Sequence, residues 1–129
     1  MKTPHIPISW GELFDKITIL QIKLENLKTK SALRNVKKEH GQLCKILDRN
    51  FSKNENAKRL MTDLKLINQK LWDIEDRIRD KERSKIFDKE FIEFARKVYM
   101  INDDRSRIKR NINETFGSEL IEEKSYADY

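Results

Sequence analysis

Polar side chains that could do chemistry recur at helical spacing in two segments of the sequence. In the first segment, steps of four, three and four residues separate Asn68, Trp72, Glu75 and Arg79. In the second segment, the corresponding residues are Tyr99, Asn102, Ser106, Lys109 and Asn113, with Arg105 adjacent. Residues three or four apart lie on one face of an α-helix. Each segment therefore predicts a helix that has a polar face with an aromatic side chain on it.

A third polar set lies near the N-terminus, where Glu12 and Lys16 are four residues apart and Asp15 lies beside them. If the three faces converge, they form a polar pocket walled by Trp72 and Tyr99. The candidate ligand-binding residues are then Glu12, Asp15, Lys16, Asn68, Trp72, Glu75, Arg79, Tyr99, Asn102, Arg105 and Lys109.

Three interpretations of this pocket stay open. The first is a site for an anionic or phosphorylated ligand. The second is a divalent metal ion held by Glu12, Asp15 and Glu75, because helical bundles bind hard cations with carboxylates from facing helices. The third is a purely structural set of salt bridges that fixes how the helices align. Since helix capping also explains Glu12, the metal interpretation is the weaker of the two site hypotheses, and the pattern indicates no particular cofactor.

Arg105 stands where the apolar pattern of its helix calls for a hydrophobic residue. An unpaired guanidinium in such a position is costly, because a buried charge needs a partner. We predict that Arg105 bonds to Glu75, with Asp15 as the second choice, and that Asn68 or Asn102 completes its hydrogen bonds.

Apolar residues at heptad spacing predict the helices that would position these groups. The predicted helices span residues 10–29, 32–49, 57–82 and 89–116. The apolar stripe changes phase near Thr29, which predicts a turn there, and one long bent helix is the alternative. Ser9 and Glu12 form a capping-box pattern at the first helix, and Gly117 is typical of a helix end.

The composition agrees with an all-α fold. The chain has 129 residues, of which 37% are hydrophobic and 39% charged, with only five Gly and Pro together. That length suits one domain. We therefore predict a single domain over residues 1–129, an antiparallel bundle of about four long amphipathic helices that pack like a coiled coil. Residues 1–8 form a lead-in, and residues 118–129 form a tail that ends in aromatics and folds back in part.

Several classes of protein are disfavoured by what the sequence lacks. No apolar run is long enough to span a bilayer, and the N-terminus has no signal-peptide core, so we expect a cytoplasmic protein that does not act on membranes. Cys44, His5 and His40 are too scattered for a zinc site. Glycine-rich phosphate loops and nucleophile-elbow motifs are also missing.

Positive charge is concentrated between Lys23 and Lys65, where twelve Lys or Arg residues stand against five acids. A basic stretch of this kind can bind a phosphate-rich partner. A solvated helix face is the preferred interpretation, since no aromatic residues alternate with the lysines as they do on a single-strand stacking surface. Nucleic acid is therefore the least favoured partner.

Three phrases together resemble a small uncharacterised family of all-helical bacterial and phage proteins. They are Ile-Ser-Trp-Gly-Glu-Leu-Phe-Asp from Ile8, Ile-Asn-Gln-Lys-Leu-Trp-Asp-Ile-Glu from Ile67, and Ala-Arg-Lys-Val-Tyr from Ala95. Proteins of this family stand alone or occur near glycosyltransferase or tetratricopeptide-type proteins. The resemblance implies a surface-polysaccharide or nucleotide-sugar context, and it brings no catalytic residues.

Two hypotheses of function follow. The first is a helical binding or assembly module that forms a homodimer and binds a protein partner or an anionic small molecule. The second is a small enzyme or ligand-binding protein for a phosphorylated or sugar-nucleotide substrate, with a metal ion as an optional participant. The sequence leaves open whether the protein is an enzyme.

Overall fold

The computed structural model describes residues 1–129 and consists of four α-helices without a strand. The helices are α1 (Trp10–Asn26), α2 (Lys30–Phe51), α3 (Glu55–Arg83) and α4 (Lys89–Thr115). The predicted all-α class is confirmed. The predicted turn near Thr29 is also present, so α1 and α2 are two helices and not one bent helix.

Side chains cap three of the four helices at their N-termini. The Ser9 hydroxyl accepts a hydrogen bond from the Glu12 amide at 3.1 Å, and the Asn54 and Asp88 side chains do the same for α3 and α4. Gly117 follows α4 with a φ of 59°, a conformation that glycine adopts without strain. The other half of the predicted capping box is not made, because the Glu12 carboxylate binds Lys109 instead.

The connection between α2 and α3 is shorter than the pattern predicted. The polar run from Asn50 to Asn56 resembles a loop in composition, but α2 continues to Phe51 and α3 begins at Glu55. Asn54 ends the connection as an N-cap, and Phe51 reaches back to the apolar core. Only residues 52–54 lie outside the helices.

α1 is the central helix, since it packs against all three others. Phe14 lies in a buried cluster with Ala57, Leu60 and Leu64 from the start of α3 and Ile112 from the end of α4. These contacts make α1 parallel to α3 and antiparallel to α4. The apolar core is therefore thickest where the N-terminal half of α1 meets the other helices.

The two long helices extend beyond α1. α3 has 29 residues and α4 has 27, against 17 in α1, so they run about 40 Å while α1 runs about 25 Å. The far end of the α3–α4 pair, called the distal hairpin here, has no covering helix. Ile86, Phe87 and Ile92 are exposed there, and Phe87 contacts Phe91 edge-on at 5.3 Å.

α2 packs mainly on α1 and buries only one residue, Val36. Leu47 and Phe51 at its C-terminal end pack against the core cluster. The rest of its apolar stripe is half-buried, and its opposite side faces solvent. None of the four helices has the length and apolar character that crossing a membrane requires.

Candidate functional site

A cleft of about 900 Å³ opens between α3 and α4 next to the C-terminal half of α1. Its volume falls within the range of small-molecule sites. The lining residues are Ile19, Ile22, Asn68, Leu71, Trp72, Glu75, Asp76, Arg79, Val98, Tyr99, Asn102, Asp103, Arg105, Tyr126, Ala127 and Tyr129. The cleft therefore has nine apolar or aromatic side chains and seven charged or amide side chains in its wall.

The C-terminal segment forms one side of the cleft. The Tyr129 ring packs edge-on against the Tyr99 ring, with 5.1 Å between the centroids. The Tyr129 hydroxyl donates a hydrogen bond to the Asp103 carboxylate at 2.7 Å. Tyr126 also lines the cleft. The expectation that part of the tail folds back on the helices is met, and its aromatic end reaches the cleft itself.

Arg105 is the cation at the inner end of the cleft. Its Nε donates to Asp15 Oδ1 at 2.9 Å, its Nη2 donates to Asp15 Oδ2, and its Nη1 donates to Asn102 Oδ1 at 3.1 Å. A guanidinium has five N–H groups, so two of them remain without a partner. The Arg105 side chain is 26% exposed. It is a fixed cation that still faces the cleft.

The prediction that Arg105 bonds to Glu75 is wrong. Its partner is Asp15, which was the second choice. Glu75 lies near Arg79 on its own helix, with 4.0 Å between the charged atoms. The axial alignment of the helices explains the difference. Asn68 is level with Asp15, whereas Glu75 is seven residues further along α3, which is about 10 Å.

Asp15 is almost completely buried, at 1% exposure, and its oxygens are well supplied with donors. Asn68 Nδ2 donates to Asp15 Oδ1 and to Thr18 Oγ1, both at 2.9 Å. Burial alone would raise the pKa of Asp15, but the hydrogen bonds from Arg105 and Asn68 and the nearby positive charges outweigh it. The pKa of Asp15 therefore lies below its ordinary value, and the carboxylate holds Arg105 as an anion.

Lys109 closes the same network from the other side. Its ammonium lies 2.9 Å from Glu12, 3.7 Å from Asp15 and 3.0 Å from Glu122 of the tail. Burial lowers the pKa of this lysine, but the hydrogen bond to Glu12 and the charge of Asp15 raise it more, so the net shift is upward. No buried polar side-chain atom lacks a partner. This region is a satisfied ionic network behind the cleft.

A close helix contact aligns the network. The Gly11 amide donates to Asn113 Oδ1 at 2.7 Å. A Cβ atom at Gly11 would lie 2.5 Å from the Lys109 carbonyl oxygen and 2.9 Å from Asn113 Oδ1. Only glycine allows α1 and α4 to approach this closely. Gly11 was not among the predicted site residues, although a glycine inside a helical pattern is a known sign of close packing.

The predicted site residues fall into three groups. Seven of them line the cleft: Asn68, Trp72, Glu75, Arg79, Tyr99, Asn102 and Arg105. Three belong to the network behind it, which are Glu12, Asp15 and Lys109. Lys16 is exposed and lies outside both. The prediction missed Asp76, Asp103, Tyr126 and Tyr129, which line the cleft as well.

The metal interpretation has no geometric support. No group of three or more His, Cys, Asp or Glu side chains is placed to bind a metal ion. Glu12 and Asp15 are engaged with Lys109 and Arg105, and Glu75 lies further along α3. Glu12, Asp15 and Glu75 therefore do not form the shared carboxylate site that their spacing suggested.

Comparison with known proteins gives one result. Residues 4–129 match the model of a family of unknown function, DUF6165, and the chain belongs to that family. No curated protein and no solved structure matches the chain.

Proposed function

We propose that this member of the DUF6165 family is a ligand-binding protein whose site is the cleft between α3 and α4. The proposal rests on the hydrogen bonds and the exposure of Arg105. Its guanidinium is fixed by Asp15 and Asn102, yet it remains open to a cleft walled by Trp72 and Tyr99. A purely structural salt bridge would need no such opening.

A fixed guanidinium suits the recognition of an anionic or acceptor-rich group. Its N–H groups match the oxygens of a carboxylate or phosphate in geometry. Because Arg105 is already held in place, binding costs it little conformational freedom. The two N–H groups without a partner are the donors that such a ligand would engage.

The remaining lining residues narrow the ligand class. Trp72 and Tyr99 offer flat faces to a ring, while the carboxylates of Glu75, Asp76 and Asp103 accept hydrogen bonds. Three carboxylates disfavour a bare polyphosphate, but they suit the hydroxyl groups of a sugar. We propose a phosphorylated sugar or a sugar nucleotide, which agrees with the polysaccharide context that the sequence resemblance implies.

Calorimetric titration of the intact protein tests the proposal. The panel consists of a nucleoside diphosphate sugar, a sugar phosphate, the free sugar and inorganic phosphate. We expect the sugar-containing phosphates to bind and Tyr99→Ala to weaken binding by about tenfold or more, which corresponds to about 1.4 kcal/mol.

Leu66→Ala is the control, because Leu66 is an exposed hydrophobic residue on α3 outside both the cleft and the distal hairpin. It should bind as the wild type does. Equal losses in both variants, or no binding by any member of the panel, would contradict the proposal.

A second candidate function is the assembly module, and the distal hairpin favours it. Ile86, Phe87 and Ile92 are 46%, 55% and 56% exposed on a part of the molecule that no other helix covers. Burying them between two copies would stabilise a homodimer. Light scattering across a range of concentrations tests this, with Phe87→Glu expected to yield a monomer. A wild-type monomer mass at every concentration would contradict it.

A further inference from the structure

One side of α2 carries a row of cations that the ligand cleft does not use. All are exposed, and helical geometry places them within about one third of the helix circumference. This row, called the α2 basic face here, consists of Lys30, Arg34, Lys37, Lys38, Lys45 and Arg49. Asp48 is the only acid on the same strip, which leaves a net charge of 6 − 1 = +5 and a strong local positive potential.

The six cations of the α2 basic face have no acidic partners. None of the salt bridges in the molecule involves any of them. On α3, by contrast, some exposed cations pair along the helix, as Lys58 does with Glu55 and Arg83 with Asp80. An ordinary solvated helix is expected to show such pairs.

The charge of the whole molecule is concentrated here. α2 contains the six cations and two acids, Glu39 and Asp48, which gives 6 − 2 = +4 out of the +6 of the chain. The first turn of α2 contains no acidic residue, although acids are favoured at a helix N-terminus. The absence of acidic partners and the concentration of positive charge together indicate a surface that binds a polyanion.

The dimensions of the face match double-stranded nucleic acid. Lys30 and Arg49 are nineteen residues apart, which is about 28 Å along the helix and about eight base pairs of duplex. An α-helix fits the major groove, and the outer side of α2 is free of other helices. Gly41 lies in the middle of the face with nothing within 4 Å of its Cβ position, so a phosphate can approach the helix backbone closely there.

Other polyanionic partners fit less well. A helix that binds a membrane surface carries large apolar residues beside its cations, ready to insert. On α2 those residues face the other way: Val36 is buried, and Leu47 and Phe51 pack against the core. A single strand would need aromatic side chains for base stacking, and the α2 basic face has none.

We propose that the α2 basic face binds double-stranded nucleic acid through its phosphates, without sequence preference. Sequence alone favoured a solvated face because no aromatic residues alternate with the lysines, and it does not reveal which lysines have acidic partners. The structure adds that these cations are unpaired. The proposal is independent of the cleft, because no residue of α2 lines the cleft.

Fluorescence anisotropy with a labelled DNA duplex of about 16 base pairs, twice the length of the face, tests the proposal on the intact protein. Each phosphate contact contributes about −0.9 to the slope of log K against log salt, so five or six contacts give a slope of about −5. The affinity should therefore fall about 10³-fold between 50 and 200 mM salt.

A triple variant tests whether the α2 basic face is the surface that binds the duplex. Lys37→Gln, Lys38→Gln and Lys45→Gln together should weaken binding at least tenfold and make the slope shallower by about 2.7. The matched control is Lys70→Gln with Arg96→Gln and Lys97→Gln, which removes the same charge from exposed residues outside α2. The control should lose no more than about threefold in affinity for the duplex, which is the effect of net charge alone.

Three results would overturn the proposal. One is the absence of duplex binding at 50 mM salt, and another is an equal loss of affinity in both triple variants. The third is a preference for anionic vesicles, made of phosphatidylglycerol and phosphatidylcholine, over the duplex. Thermal unfolding of both triple variants should match the wild type, which shows that a loss of binding is not a loss of fold.

Discussion

α1 and α2 are neighbouring antiparallel helices, and they use their residues in opposite ways. α1 has 17 residues and buries eight of them, whereas α2 has 22 residues and buries only Val36. Both carry an apolar stripe at heptad spacing. They differ because α1 has three helical neighbours and α2 has mainly one. Position in the fold, more than the apolar pattern, decides how much of each helix is buried.

The polar residues of the two helices also differ in burial and in hydrogen bonding. Asp15 and Thr18 of α1 are buried and fully hydrogen-bonded, and through Asp15 this helix positions Arg105 in the cleft. The cations of α2 have no acidic partners and face solvent. α1 therefore supplies the buried carboxylate that positions Arg105, while α2 presents an exposed charged surface. The same kind of substitution should consequently have different effects in the two helices.

The largest expected effect is the loss of Asp15. Asp15→Ala leaves Arg105 and Lys109 without their buried anion, which should lower the free energy of unfolding by about 3–5 kcal/mol. Lys38→Ala in α2 removes an exposed, unpaired charge and should change it by about 0.5 kcal/mol or less. Urea denaturation of both variants measures the difference.

The double variant Asp15→Leu with Arg105→Met checks the explanation. Removing both charges together should restore a large part of the lost stability, because neither partner is then left unpaired in the interior. If the double variant is as unstable as the sum of its single changes, the ionic pair is not the source of the effect.

The pH dependence of stability should also distinguish the two helices. The folded pKa of Asp15 lies below the unfolded value of about 3.9. Its contribution to stability is therefore present above about pH 3.9, and it is lost as the pH falls through the lower folded pKa. The free energy of unfolding of the wild type should fall more steeply in this acid range than that of Asp15→Asn.

Asp48→Asn in α2 is the control for the acid range. Asp48 is exposed and outside every salt bridge, so this variant should follow the wild-type curve of unfolding free energy against pH. Parallel curves for wild type and Asp15→Asn below pH 4 would show that the buried carboxylate is not linked to folding.

This contrast between α1 and α2 shows what could be predicted from the sequence. The number of helices, the turn near Thr29 and the cap at Ser9 follow from periodicity and local hydrogen bonding, which are properties of adjacent residues. The partner of Arg105 depends on how far one helix is shifted along another. That shift is set by contacts such as Gly11 against Lys109, between residues far apart in the chain, so periodicity could not choose Asp15 over Glu75.

The cleft was predictable to a similar extent. Its helical residues share faces that spacing alone identifies, and Trp72, Tyr99, Asn102 and Arg105 meet there as the stripes indicated. Tyr126 and Tyr129 lie in a segment without regular secondary structure, where no periodicity indicates which side chains turn inward. The place of Tyr129 in the cleft comes from contacts with Tyr99 and Asp103, which only the folded chain reveals.

A smaller effect is expected from the two helical glycines. Gly11→Ala would force α1 away from the Lys109 carbonyl and should destabilise the protein by about 1–3 kcal/mol. Gly41→Ala in α2 meets nothing within 4 Å, so the better helix propensity of alanine should stabilise it by up to about 1 kcal/mol. Thermal unfolding measures both, and a shift in the same direction for the two variants would contradict the close contact at Gly11.

The smallest expected difference in stability lies at the N-cap residues of the two helices. Ser9 caps α1 through its hydroxyl, whereas the Thr29 side chain makes no capping hydrogen bond to α2. Ser9→Ala should therefore lower the free energy of unfolding by about 1 kcal/mol, because the Glu12 amide loses its acceptor in a partly buried position. Thr29→Ala should change it by no more than about 0.3 kcal/mol, since no bond is lost. Paired urea denaturation curves resolve this difference when the slopes are equal. Equal destabilisation in the two variants would mean that the loss of a hydroxyl group matters in itself, and that the contrast between a capped α1 and an uncapped α2 does not hold.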